Sequence, residues 1–545
     1  MICYRCPCKK KTTKRGITVH DYIQRCKRNI YKNLALLSFN QLAMYLLYKV
    51  ILMSRMYEYD YPGLYGYLIY QIAQACTIPI LPALIFPRFK LKRALFCGSI
   101  FYMIFVSMQL FNQIEIKIAF ALLMAPAFVI VHIIQQIYVI RLAKIMCKVT
   151  GRSIEITLTQ MTGIFLSIYR ISETICYIPM MLADKRTLKY QNTSKINCGL
   201  NFYYGQHENV TELSIPPQGE ISHIASLVLI ILALVTSVIT LILLKPLQTL
   251  TMTELNADPE PRSWMSTINL IKTQQLRLII PMTLFSGYEK VFLRYDYLMA
   301  YIGCNKNRYD GMDQYILGTV LYCQMSLSIA PLVSTVNTEI ILLVAGILYL
   351  IPTLLLLANV KIEAIGYYCI SGIWSLASSI WDCLIHALYG VLFPKDELEA
   401  YAQMGLWQSI SIAMSVLLTL FSGTFVKLWI LLILSLLSII TVILLPFIKS
   451  GLHNKINAAE EDITLMHRAN LRSDWNNEPG QKIQTVSFKK SSEGKIEYST
   501  EIKSFSTMRY HHIHILKERE DFTKDLTEQE SKTVERFESS ISQTF

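Results

Sequence analysis

The chain has 545 residues, 53% of them hydrophobic and only 17% charged, with a formal net charge of +13 and a positive mean hydropathy. This balance excludes an ordinary soluble domain. The basic residues sit in arms and loops between apolar runs, so cytoplasmic flanks of membrane helices explain the charge and nucleic acid is not an expected partner.

Residues 1–33 read as a basic cytosolic N-terminal arm, in which Lys9, Lys10, Lys11, Lys14, Arg15, Arg25, Lys27, Arg28 and Lys32 outweigh Asp21. Such a run beside a membrane helix is attracted to anionic lipid. Cys3, Cys6 and Cys8 read as free cytosolic thiols, with reversible acylation as the alternative. Most other cysteines lie in apolar runs as small buried hydrophobes, so the chain is no disulfide scaffold.

Apolar runs of about 20 residues, each long enough to cross a bilayer, then recur. The predicted helices are 34–52, 61–84, 94–111, 118–140, 158–182 and 224–244, then 278–302, 314–333, 340–357, 365–392, 405–420 and 428–447. Two basic loops separate the early runs, Phe86 to Arg93 and the segment carrying Arg141, Lys144, Lys148 and Arg152. The fold class expected is an all-α polytopic membrane protein, a twelve-helix bundle of two six-helix halves, residues 34–244 and 278–448. A cytosolic linker at 245–277 joins the halves, and residues 449–545 read as a disordered cytosolic tail.

Residues 183–222 form a polar loop with two glycosylation sequons, at Asn192 and Asn209. With both termini cytosolic, this loop falls outside, as do Cys198 and Cys304, which are candidates for a disulfide linking the halves. The tail holds a dileucine-type sorting pattern, Glu461 to Met466, and a tyrosine-based one, Tyr510 to Ile513.

Ionisable residues in hydrocarbon are expensive and usually face a bundle interior or a wet cavity. Predicted helix 7 carries Glu289, Lys290, Arg294 and Asp296, either a charge network inside the bundle or structural pairs, with Asp296 near the outer interface. In predicted helix 5, Arg170 and Glu173 are three apart and can neutralise each other. Gln71, Gln74, His132, Gln135 and Gln136 either line a cavity or knit helices together. In predicted helix 10, Trp374, Ser378, Trp381, Ile385 and Tyr389 share one face, implying a working face and a lipid face. Asp382 and His386 are one turn apart. Their side chains can meet, as a proton-sensitive pair or as a structural hydrogen bond. No phosphate-cradling glycine loop, zinc-ligand spacing or nucleophile motif is present, so no enzyme, metal or cofactor is expected.

The stretch Ser371-Gly372, Trp374, Trp381, Ala387 to Phe393 and Leu406-Trp407 resembles the signature of the Unc-93 family, a branch of the major facilitator superfamily. Phe285-Ser286-Gly287, Phe292 and Asp296-Tyr297 match it again. The signature residues here are Ser286, Gly287, Trp374, Trp381, Tyr389, Gly390 and Trp407, and the resemblance covers roughly residues 30–450. The sequence departs at Ile385 and His386, where relatives often carry two Asn. It also lacks the Asp of the common facilitator loop motif after helix 2.

The resemblance implies a facilitator fold and an auxiliary role. One characterised member is a regulatory subunit of a two-pore potassium channel complex, and another escorts nucleic-acid-sensing Toll-like receptors. The expected function is therefore regulation of another integral membrane protein, most simply a potassium channel, at the plasma membrane. The alternatives are a secondary transporter of a small solute or ion, proton-coupled through the buried charges, and a trafficking escort for receptors in endosomal membranes.

Overall fold

The computed structural model describes residues 19–56, 61–81, 91–108, 114–184, 199–202, 220–244, 264–303, 308–447 (less 361 and 395), 484–490 and 496–502. The first 18 residues, both sequons, Cys198, Cys304 and the two tail sorting patterns lie outside the described residues, as does the side chain of Arg294.

All twelve expected helices are present. They are α1 (Val19–Met56), α2 (Tyr61–Thr77), α3 (Leu91–Met108), α4 (Ile114–Thr150), α5 (Ile154–Asp184) and α6 (Glu220–Leu243), then α7 (Gln274–Val291), α8 (Arg308–Thr335), α9 (Thr338–Leu357), α10 (Ala364–Leu392), α11 (Glu397–Phe421) and α12 (Thr424–Phe447). Within the described residues 19–447 there is no strand. Helix is the structure that hydrocarbon demands, because each segment then satisfies its own backbone donors and acceptors. Seven of the helices are long and apolar enough by themselves to cross a membrane.

The ends differ from the hydropathy boundaries in a consistent direction. α4 runs ten residues past Ile140, so Arg141, Lys144 and Lys148 ride on its last turns rather than in a loop. Cations are favourable at a helix C-terminus. The helix stops where Gly151 takes φ +69°, a conformation that costs glycine little. Ser153 then accepts from the Ile156 backbone N–H at 3.3 Å and caps α5. α11 likewise begins at Glu397, well before Gly405, with Glu397 and Glu399 in its first turn. α1 starts at Val19, which places Arg25 to Lys32 on helix instead of in the arm. The linker contributes a short helical turn, Trp264–Asn269, just before α7, whose N-cap Thr273 accepts from the Leu276 N–H.

α7 changes pitch. Beyond Val291 it continues as a π-helix, Phe292–Gly303, an uncommon geometry that clusters at functional sites.

The two six-helix halves meet along α5 with α8 and α2 with α11. Between helices in lipid the hydrophobic effect gives little drive, so close van der Waals contact and small residues carry association. At the α5–α8 crossing a Cβ on Gly163 would lie 2.2 Å from the Ser326 backbone oxygen. Ser167 Oγ donates to the Cys323 carbonyl at 3.2 Å in the same seam. Gly163→Ala is therefore expected to force the halves apart and cost about 1–3 kcal/mol, read as a lowered melting midpoint of the purified protein. An unchanged midpoint would mean that the crossing relaxes freely. Gln74 and Ser409 join α2 to α11 at 3.2 Å.

The chain divides into two compact units, residues 1–450 and 451–545. In the second, β1 (Gln484–Lys490) and β2 (Ile496–Ile502) form an antiparallel hairpin with Phe488 opposite Tyr498 and Lys489 opposite Glu497. The strand signal is the alternation of Val486 and Phe488, and of Ile496, Tyr498 and Thr500.

Candidate functional site

α10 is the hub of the bundle. Of its apolar window, 89% is buried, against 50% for α12 and 44% for α9. The expected lipid face is thus corrected: α10 is wrapped by α5, α7, α8, α9 and α11. The small side chains of Ser371, Ser375, Ser378 and Ser379 let those neighbours approach.

The aromatic face of α10 packs antiparallel on α7 and its π-helical extension. Trp374 meets Phe292 and Tyr297, with ring centroids 5.9 and 5.6 Å away. Trp381 meets Phe285 edge-on at 5.4 Å and donates its indole N–H to the Met282 carbonyl at 3.3 Å. Tyr389 and Thr283 share a hydrogen bond of 2.9 Å. The other signature residues hold the same core. A Cβ on Gly287 would meet the Gln408 carbonyl on α11 at 2.8 Å, and one on Gly390 would touch Leu158 at 3.0 Å. Trp407 is half-buried on α11, its indole nitrogen without a protein partner.

At the centre of this α7–α10 seam lies Asp382, 4% exposed. One carboxylate oxygen receives Lys290 Nζ at 2.9 Å and the Ser286 hydroxyl at 3.1 Å. The other receives the Tyr322 hydroxyl at 3.0 Å and lies 3.6 Å from the Arg170 guanidinium. Arg170 also pairs with Glu173 at 2.9 Å and sits 4.5 Å over the Tyr322 ring, where the π-face attracts a cation. Tyr45 donates to Glu173 at 3.1 Å. The network therefore joins α1 and α5 of the first half to α7, α8 and α10 of the second.

The expected side-chain pairing of Asp382 with His386 is corrected. His386 Nδ1 lies 2.6 Å from the backbone carbonyl of Asp382, not from its carboxylate. Two cations on neighbouring helices take the carboxylate instead. The backbone carbonyl of His386 accepts from Tyr401, so this turn serves the α10–α11 contact.

Asp296 is not at an interface with lipid headgroups. It is 2% exposed and paired with Lys427 of α12, itself 1% exposed. Thr419 lies 3.3 Å from both carboxylate oxygens. Glu289 accepts from Ser378, which in turn accepts from Tyr349 at 2.9 Å. The helix 7 charges therefore serve separate partners: Lys290 faces α10, Asp296 faces α12, and Glu289 faces the hydroxyls of α10 and α9.

Arg170, Glu173, Glu289 and Lys290 line a cavity together with the hydroxyls of Thr319, Tyr322, Ser371, Ser375 and Ser378. Leu293, Tyr297 and Leu298 supply its apolar wall from the π-helix. The cavity faces the end of the bundle where α7 runs into α8. At the opposite end, Lys144 of α4 bonds both the Pro394 carbonyl, at 2.9 Å, and Glu397 of α11, with Arg141 3.8 Å from the same carboxylate. Gln71 and Gln74 of α2 and Gln135 and Gln136 of α4 are buried, and His132 stacks on Phe128 with ring centroids 5.4 Å apart. Gln135 is wholly buried, with neither amide atom bonded to protein. No cluster of three or more metal-ligating side chains occurs among the described residues.

Sequence reasoning missed Lys427, Tyr322, Tyr45 and the role of Ser378. Lys427 stands one residue before the predicted start of the last helix, so the apolar run does not include it. The tyrosines carry no hydropathy signal in an aromatic-rich chain.

No protein-family model matches the chain. It is 27% identical over 199 residues to protein unc-93 homolog A of Xenopus laevis, covering 35% of this chain and 42% of that protein. It is 28% identical over 176 residues to the human protein of the same name, covering 31% and 37%. The putative potassium channel regulatory protein unc-93 of Caenorhabditis elegans is 25% identical over 145 residues, covering 25% of this chain and 20% of that protein. The chain thus spans about two-fifths or less of the length of these relatives. Among solved structures it is similar to FucP, a major facilitator superfamily transporter, in the outward conformation. The TM-score is 0.54 at 10% identity, covering 76% of this chain and 97% of that one. The human organic anion transporter TETRAN gives a TM-score of 0.51 at 12% identity, covering 76% and 99%. These likenesses and the buried polar seam agree: the chain is an integral multi-pass membrane protein of the major-facilitator fold, Unc-93-like in sequence.

Proposed function

We propose that this protein is a non-enzymatic auxiliary subunit of another integral membrane protein, most simply a potassium channel. The observation that carries the reading is the similarity to the nematode protein named as a putative potassium channel regulator. The buried charges are compatible with it. Asp382, Arg170, Glu173 and Lys290 are bonded to one another across the two halves, an arrangement that stabilises one assembled state of the bundle. The plasma membrane, with both termini cytosolic, is the location this reading requires, and an endosomal location suits the escort alternative.

The test is purification from the native membrane in mild detergent. A channel is expected to co-purify in near-stoichiometric amount, and co-expression with it should alter potassium current that neither component alone reproduces. A solitary protein with no effect on any co-expressed channel overturns the reading. The cavity favours a second reading, secondary transport, because charged and hydroxyl side chains line it between the two halves. That reading requires solute uptake into liposomes.

A further inference from the structure

The outer face of α8 breaks the pattern of the bundle's surface. In the seven apolar spans, the exposed described residues away from the span ends are hydrophobic except Gln324 and Ser328. Both stand on one stripe of α8 with Leu317, Val320, Leu327 and Pro331, all exposed. Gln324 lies near the middle of the span Ile316–Thr335. Tyr322, two residues before it, is on the other side of the helix and reaches Asp382 in the core. The Gln324 backbone carbonyl accepts from the Ser328 hydroxyl at 2.9 Å, but its side-chain amide has no partner among the described residues.

A primary amide carries two N–H donors and an acceptor oxygen. Hydrocarbon satisfies none of them, so the group is costly there unless another polar group covers it. The stripe holds further acceptors. Pro331 has no N–H, so the carbonyl of Leu327, four residues back, lacks its usual helical donor. Ser328 spends its proton on its own helix and keeps acceptor capacity. Depth and symmetry favour a second copy of this chain as the cover. Two copies of the same topology, related by a two-fold axis along the membrane normal, present α8 at one depth and in one direction. Each Gln324 then meets the other, and two amides pair reciprocally, each donating to the other's oxygen. The second N–H of each has the Ser328 and Leu327 oxygens of the facing stripe within about a turn, and Leu317 and Val320 supply apolar contact. An unlike helix would need a polar residue at that same depth, which symmetry supplies without any further condition.

We propose that α8 is a homodimer contact, in which two copies of this chain meet along the stripe and Gln324 pairs with its symmetry mate. The assignment goes beyond the auxiliary reading and does not depend on it.

The experiment uses the full chain with a fluorescent tag in liposomes, with oligomers counted by single-molecule photobleaching at increasing lipid dilution. A dimer fraction that falls with dilution is expected. Gln324→Leu should lower the association constant roughly tenfold, the worth of interhelical amide contacts in lipid. Its melting midpoint at high dilution should match the parent's, because the amide bonds nothing in its own chain. Ile433→Ala, on the exposed face of α12, should leave dimerisation unchanged. In native membranes, oxidation of Gln324→Cys should give a dimer well above the level of the parent with its native cysteines and of Ile433→Cys, since a disulfide needs the two α-carbons within about 7 Å. The proposal is overturned by a chain that stays monomeric at every dilution, by dimers that Gln324→Leu leaves equally strong, or by Gln324→Cys that cross-links no more than the parent or only to an unlike protein. If Gln324→Leu does not survive purification, the cross-link decides. Channel co-purification is read separately, so a monomeric chain leaves the auxiliary reading standing.

Discussion

Asp382→Ala is expected to destabilise the folded protein by about 3–5 kcal/mol, the range for breaking a buried ion pair by removing one partner. The cost is not the lost attraction alone. Lys290 and Arg170 keep side-chain exposures of 22% and 11%, so neither can reach bulk water without leaving the seam. Both cations lose a counter-ion, and the Ser286 and Tyr322 hydroxyls lose their acceptor. Arg170 retains Glu173, so Lys290 is the orphan. Adding Lys290→Met to Asp382→Ala should therefore recover a substantial part of the loss, a non-additivity expected of residues in one network. The measurement is a thermal or denaturant melt of the four proteins of this cycle in one detergent. If Asp382→Ala melts with the wild type, cavity water already solvates both cations and the network does not hold the halves together. If the single variant falls and the double does not recover, the loss comes from packing at α10 instead of charge.

How much of this could be read from the sequence depends on which distances a pattern encodes. Periodicity encodes neighbours on one helix. The face Trp374, Ser378, Trp381, Tyr389 was legible for that reason, and it is the surface that meets α7. Periodicity also placed Asp382 and His386 within reach, but it says nothing of cations on other helices, and Lys290 and Arg170 took the carboxylate. His386 then used its own helix. The same blindness made α10 look half lipid-facing, since a Trp-rich apolar face buried against protein has the composition of one facing acyl chains. Hydropathy located all twelve helices and misjudged where several begin and end. A window stops at the first cluster of charges, whereas α4 continues through Arg141 and Lys144 until Gly151 ends it, and α11 starts at Glu397. Those overlooked turns hold the link between Lys144 and Glu397 that ties α4 to α11.

Lys427 is the largest omission and supports the last prediction. It stands at the start of α12 with its charge buried against Asp296, 1% and 2% exposed, deeper than any pair around Asp382. Lys427→Met keeps the length of the side chain and deletes the ammonium. Among the described residues Asp296 is then left with Thr419 as its only donor, and a loss of about 3–5 kcal/mol is expected. Asp296→Leu alone should cost a comparable amount by stranding Lys427. The double variant Asp296→Leu with Lys427→Met removes both charges together with their desolvation penalties. It should melt close to the wild type or above it, because apolar replacement of a buried pair is often neutral or stabilising by about 1–4 kcal/mol. Such recovery would show that this pair is dispensable for stability and that its place between α7, α11 and α12 needs another reason. A double variant no better than either single one would show that the pair sets the register of α7 against α12, where the Tyr288 hydroxyl already reaches the Lys427 carbonyl at 3.2 Å. The contrast with Asp382 is physical: two of its partners, Arg170 and Lys290, also line the cavity, whereas among the described residues the Asp296 carboxylate meets Lys427 and Thr419 alone.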